Sequence, residues 1–173
     1  MRITHEIEIT TTSVILDGKE IVVENTGDKM LVELYRRFVG DYPKFFKMDT
    51  LCRLGFVAAE LLLQKEPVEA VVLANRSASI VNDMEYLTTI SAGNYYPSPS
   101  LFVYTLPNIV TGEIAIRHHI QGETAFYVLD LPEHLQPIIK SEMVYHKSPI
   151  LVGWVECSEP DKFYAKLQTI WNN

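Results

Sequence analysis

The stretch DTLCRLGFVAAELLLQKEPVEAVVLANRSAS, residues 49–79, decides the fold. Asp49 can accept from the free backbone N–H groups of a first helical turn, and Leu51, Leu54, Val57, Ala58, Leu61 and Leu62 then recur at helical spacing until Pro67. The apolar stripe is wide enough for the helix to be covered on most sides. VEAVVLA (68–74) is too short for a buried helix and rich in Val, so it reads as a central strand covered on both faces. Asn75, Arg76 and Ser77 follow, where a parallel strand delivers side chains to a cleft. Arg76 and Ser77 could there meet a phosphate or a carboxylate; a plain loop is the simpler reading.

Outward from this helix and strand the pattern repeats. Upstream, EIEITTTSVILDGKEIVVE alternates β-branched and polar residues around Asp17-Gly18, a dipeptide that tolerates the positive φ of a tight turn, and predicts an amino-terminal β-hairpin. Met30, Leu31, Leu34, Tyr35 and Phe38 then mark a short amphipathic helix closed by Gly40 and Pro43. Downstream, Gly93, Pro97 and Pro99 break residues 91–100 into a surface connection. Helical material from Ser100 is interrupted at Pro107, resumes from Ile109 to His119 and stops at Gly122. TAFYVLDL (124–131) is a strand, a helix surrounds Ile138 to Tyr145, and PILVGWVEC (149–157) is another strand. From Asp161, Phe163, Leu167 and Ile170 suggest a short final helix. The order favours an α/β fold: one layered domain over residues 1–173, a mostly parallel sheet with helices packed on it and an added hairpin.

Composition narrows the function classes. With 47% hydrophobic and 21% charged residues in 173, the chain is an ordinary folded protein able to bury a core without metal or disulfide staples. Net charge is -7 and no window concentrates Lys and Arg, which argues against nucleic acid and anionic lipid as partners. No basic segment precedes an apolar stretch at the amino terminus, and no apolar run approaches the roughly 20 residues that span a bilayer. The expectation is a cytoplasmic protein without a membrane segment. Cys52 and Cys157 are isolated, giving neither a zinc spacing nor a disulfide framework. There is no GxGxxG, Walker loop, HExxH or GxSxG, and no cofactor is expected.

Residues 97–124, PSPSLFVYTLPNIVTGEIAIRHHIQGET, resemble the ketosynthase segment that runs from a proline-flanked loop through an Asn-x-x-x-Gly-x-Ile-Ala helix to a Gly-containing turn. Those positions are Asn108, Gly112, Ile114, Ala115 and Gly122. LCRLGFVAAELLL is similar to the family's first long helix, VEAVVLANRSAS to the strand and loop after it, and ILVGWVE (150–156) to a strand that usually carries two adjacent glycines; the second is Trp154 here. The matches cover about residues 50–157 in the family's order, with the amino-terminal hairpin outside them. The resemblance, to the 3-oxoacyl carrier-protein synthase (thiolase-like) family, implies a thiolase-like half-fold corresponding to the amino-terminal half.

In active members the strand after the Gly turn leads into a sharp bend that holds the catalytic Cys at a helix start, where the dipole and nearby His favour thiolate and backbone N–H groups hold the oxyanion. The corresponding stretch here, TAFYVLDLPEHLQ (124–136), contains neither Cys nor Ser, and Leu129, Leu131 and Pro132 replace small residues. The family's carboxyl-terminal half, with its two His (or His and Asn) for decarboxylation and condensation, has no counterpart in these residues. No catalytic residue is therefore assigned. Cys157 as a relocated nucleophile is a lesser candidate beside a structural thiol. Asp130, Glu133 and His134 form another, as a base with two carboxylates able to activate water; the plainer reading is an acidic helix start. His118 and His119 are helix neighbours that face apart and cannot chelate one ion together.

The resemblance implies a protein of fatty-acid or polyketide-type biosynthesis without condensing activity of its own, acting with an acyl carrier protein or a complete ketosynthase. In thiolase-like proteins the strand before the nucleophile pairs across a twofold axis. Thr124, Phe126, Tyr127, Val128 and Leu129 are then the expected interface of a homodimer or heterodimer. The alternative is an active synthase component, or a thioester hydrolase or transferase, with a site of other residues.

Overall fold

The computed structural model describes residues 1–171. In chain order its elements are β1 (Arg2–Thr10), β2 (Val14–Leu16), β3 (Lys19–Glu20), α1 (Gly27–Phe38), a 3-10 turn (Pro43–Lys47), α2 (Thr50–Leu63), β4 (Ala70–Asn75), α3 (Ile80–Thr88), β5 (Ile90–Ser91), β6 (Asn94–Tyr95), α4 (Pro99–Val103), α5 (Ile109–His118), β7 (Thr124–Val128), a 3-10 turn (Pro132–His134), α6 (Leu135–Tyr145), β8 (Ile150–Glu159) and β9 (Lys162–Trp171). Seven strands form one mixed sheet in the order β3-β2-β1-β9-β8-β4-β7, and β5 and β6 form a separate hairpin.

The parallel part is the trio β7-β4-β8, with Leu73 of β4 opposite Phe126 on one side and Gly153 on the other. β4 is fully buried, and its alternation divides it between two layers. Val71 and Leu73 enter the larger core beneath α2, while Ala70, Val72 and Ala74 meet Leu135, Ile139 and Met143 of α6 on the opposite face. A strand flanked on both faces by helices must be apolar throughout, which is how VEAVVLA was read. α2 is the centre of the first layer: Asp49 accepts from the Cys52 N–H at 2.9 Å to cap it, and only Thr50 and Arg53 of its residues escape burial.

The tail corrects the sequence reading. Residues 162–171 are not a helix but β9, antiparallel to both β8 and β1. Phe163, Leu167 and Ile170 fit a helical period, but the buried set also includes Ala165 and Thr169, an alternation of period two. β9 joins the hairpin side to the parallel trio, so the sheet is mixed where a mostly parallel one was expected, with two parallel pairings at its core and four antiparallel ones. The expected Asp17-Gly18 turn is present, with φ of 50° and 74°, and it connects β2 to β3. α3 has no counterpart in the sequence reading.

Two glycines are required by close approach. A Cβ on Gly122 would collide with the Glu69 carbonyl oxygen, so the turn that delivers β7 beside β4 needs glycine. Gly153, with φ of 156°, lets β8 pass the Lys166 carbonyl and the Leu167 Cα of β9.

Candidate functional site

Two places compete as the site: the end of β7, where the resemblance puts a nucleophile, and a cleft beneath the amino end of α2. At the first, the Leu129 N–H donates to the Asn75 carbonyl at 2.8 Å, extending the β4–β7 pairing one step beyond the strand. The chain then passes Asp130 and Leu131 into the turn at Pro132–His134 and on into α6. Asp130, Glu133 and His134 are all exposed, and among the described residues no hydrogen bond or ion pair links their side chains. The sequence cluster is thus not assembled into a base with its carboxylates. Leu131, 45% exposed, stands at the bend where the resemblance implies a small residue.

The second place is a cleft of about 210 Å³ lined by Asp49, Leu51, Arg53, Ser79, Asn82 and Cys157, among others. This volume is below the roughly 300–1,000 Å³ of ordinary small-molecule sites. Cys157 reaches it from β8 while staying 2% exposed, and its Sγ donates to the Glu159 carbonyl at 3.5 Å. Burial pushes the thiol up to about 12, and the nearby carboxylates of Asp49, Glu156 and Asp28 push in the same direction. A nucleophilic cysteine needs the opposite surroundings: a cation, an imidazole or aimed N–H groups. No imidazole lines the cleft. Cys52 is buried inside α2 and its thiol is also raised, by burial first and Asp49 second.

Asp49 is the most perturbed carboxyl of the cleft. Burial raises it to about 6, against the pull of the Cys52 N–H and Arg53. The Arg53 guanidinium is already committed, donating to Asp28 at 2.8 Å and to the carbonyls of Phe45 and Phe46. The cleft therefore offers a half-buried acid and an unreactive thiol, with no imidazole among its lining residues.

The other sequence candidates are accounted for. Asn75, fully buried, folds its side chain onto its own loop, accepting from the Ala78 N–H at 2.9 Å and donating to the Ala78 carbonyl at 2.8 Å. The Arg76 N–H donates to Glu156, Ser77 gives its carbonyl to Ile80, and neither lines the cleft; Ser79, two residues on, does. His118 Nε2 lies 2.7 Å from the buried Glu60 carboxylate, which Arg117 also approaches, while His119 is exposed. Their side chains diverge, as adjacent helix positions require. Sequence reasoning found Asp49 as a cap but not as a neighbour of Cys157, because that meeting depends on strand order.

Thr124, Phe126, Tyr127, Val128 and Leu129 lie on or just after β7, the outermost strand, which among the described residues pairs with β4 alone. Val128 is 56% exposed; Phe126 packs toward the α2 core and Tyr127 and Leu129 toward the α6 core. A second apolar surface lies between residues 84 and 106, where Met84, Leu87, Tyr95, Tyr96, Phe102 and Leu106 are each more than half exposed. Among the described residues no helix is long and apolar enough to cross a membrane.

No protein-family model and no curated protein matches the sequence. Solved structures do. The chain superposes on one from the complex of the ketosynthase ApeO with its chain length factor ApeC from Xenorhabdus doucetiae, with a TM-score of 0.71 and 12% identity. The match covers 99% of this chain and 79% of that one, so β9 and the hairpin belong to the shared architecture. The chain has the fold of a chain of that ketosynthase complex: an α/β arrangement in which a parallel core carries helices on both faces.

Proposed function

We propose that this chain is a non-condensing, ketosynthase-like subunit of fatty-acid or polyketide-type biosynthesis, which works by pairing with a complete ketosynthase and so meets its acyl carrier protein. The observation that carries the reading is the chemistry of the two thiols: neither is at the end of β7, and the one that reaches a cleft is held protonated by burial and three carboxylates. Covalent acyl transfer needs a thiolate with an oxyanion site and a base, and that set is not gathered at either place. The likeness to a ketosynthase complexed with its chain length factor supplies a precedent for a partner of similar architecture.

Pairing is supported by surface physics. β7 leaves one edge of backbone donors and acceptors without a strand neighbour, and soluble proteins seldom leave an apolar edge uncovered. Exposed Tyr95, Tyr96 and Phe102 add the aromatic content typical of interface cores. The test is co-expression with a complete ketosynthase from the same organism, followed by gel filtration and a malonyl-decarboxylation assay. A stable heterodimer, weakened by Val128→Lys, and no decarboxylation by this chain alone is the expected result. Turnover by the isolated chain that disappears in Cys157→Ala or His134→Ala would establish the competing reading, an active synthase or thioesterase.

A further inference from the structure

At the opposite end of the parallel strands from the bend after β7, three metal-ligating side chains converge. Glu123 stands just before β7, Glu142 lies in the last turn of α6, and His146 caps that helix. One ligand atom from each lies within 4.8 Å of the other two. Their placement is fixed by backbone: the Glu123 carbonyl accepts from the Val71 N–H at 2.9 Å, and the His146 N–H donates to the Glu142 carbonyl at 3.3 Å.

The imidazole is oriented for a ligand. Its Nδ1 is 2.8 Å from Glu69 Oε1, a carboxylate also held by the Lys147 N–H at 2.9 Å. A carboxylate oxygen accepts, so Nδ1 is the donor of this hydrogen bond. That leaves a lone pair on Nε2. Among the described residues this buried nitrogen has no hydrogen-bond partner; the nearest carboxylate oxygen, of Glu142, is 3.7 Å away. A buried acceptor without a donor costs free energy, and so do two carboxylates held this close to one another. One cation between the three groups relieves both penalties. A carboxylate bonded to the far nitrogen of a ligating His is the arrangement that fixes ring tautomer and orientation in metal sites.

We infer that Glu123, Glu142 and His146 bind a first-row divalent cation such as Zn²⁺, with Glu69 orienting the imidazole and a fourth position open to water. Two carboxylates and an imidazole suit such an ion better than Mg²⁺, which prefers an all-oxygen octahedron. Bonds of about 2.0–2.2 Å to the ion require ligand atoms roughly 3.3 Å apart, a closing of the cluster that side-chain rotation of the exposed Glu123 can supply. The ion ties the carboxyl end of α6 to the entry of β7 and, through Glu69, to β4. It lies away from the carboxyl ends of the strands, so its role is to hold the sheet's edge and not to act on a substrate. This inference does not rest on the proposed function.

The experiment is titration of the full chain, stripped with chelator, with ZnCl2 followed by calorimetry, with MgCl2 in parallel. One saturable Zn²⁺ per chain is expected, with a rise in melting temperature that chelator reverses. His146→Ala and Glu142→Gln should each weaken binding at least tenfold, and Glu69→Gln by about 10- to 100-fold. Glu123→Gln alters an exposed side chain and so tests the site without threatening the fold; it should also weaken binding at least tenfold. His119→Ala, an exposed imidazole nearby, should leave affinity unchanged. Absence of saturable binding, equal affinity in Glu123→Gln and His146→Ala, or loss in His119→Ala overturns the assignment.

Discussion

Replacing Asp49 with Asn should stabilise the protein at neutral pH and do so less as the solution is acidified. Burial raises this carboxyl from 3.8 to about 6, so between those values the folded chain holds a proton that the unfolded chain has released. Its contribution to stability is complete below pH 3.8 and is lost as pH rises through 6. At about 1.36 kcal/mol per unit, the charged form costs roughly 3 kcal/mol at pH 8, and partial solvent access reduces that to about 1–2 kcal/mol. Asn keeps the side-chain oxygen that accepts from the Cys52 N–H and ranks with Asp as a cap, so the gain is not offset by a frayed α2. Urea unfolding of both proteins from pH 4 to 8 isolates the effect, since other groups cancel in the difference. The variant should be more stable by about 1–2 kcal/mol at pH 8 and nearly level at pH 4. A variant that is less stable at pH 8, or a difference that does not change with pH, would refute the burial of charge at the cleft.

Two further outcomes follow from packing and from the thiols. Gly153→Ala forces a Cβ into the Lys166 carbonyl at the β8–β9 contact and should lower stability by about 2 kcal/mol or more in the same urea assay; a loss under about 0.5 kcal/mol would contradict the register of that pair. With its thiol pushed up to about 12, Cys157 at pH 8 carries about a thousandfold less thiolate than an ordinary cysteine, so iodoacetamide should spare it in the native protein and modify it after denaturation. Rapid native labelling of Cys157, located by peptide mass, would contradict the carboxylate surroundings.

Much of the parallel core was legible because its signals are local. The Asp49 cap, the α2 stripe and the all-apolar β4 each follow from spacing within one element. β9 was not, because a ten-residue strand whose inner residues include Ala165 and Thr169 buries only three large hydrophobes, Phe163, Leu167 and Ile170, and those fall at a helical interval as well. The absence of a thiol at the end of β7 was legible in TAFYVLDLPEHLQ. The cleft around Cys157 was not: β8 delivers the sulfur to the amino end of α2 only through a sheet order that places β8 beside β4. Likewise Glu142 and His146 stand four apart in sequence, but Glu123 and Glu69 join them only once β7 and β4 are parallel neighbours.

The account stands or falls on whether this protein can carry an acyl group. Intact-mass measurement after incubation with an acyl thioester, at neutral pH and without a partner, reads this directly. An unchanged mass is the predicted result; a stoichiometric acyl adduct that Cys157→Ala abolishes would contradict it.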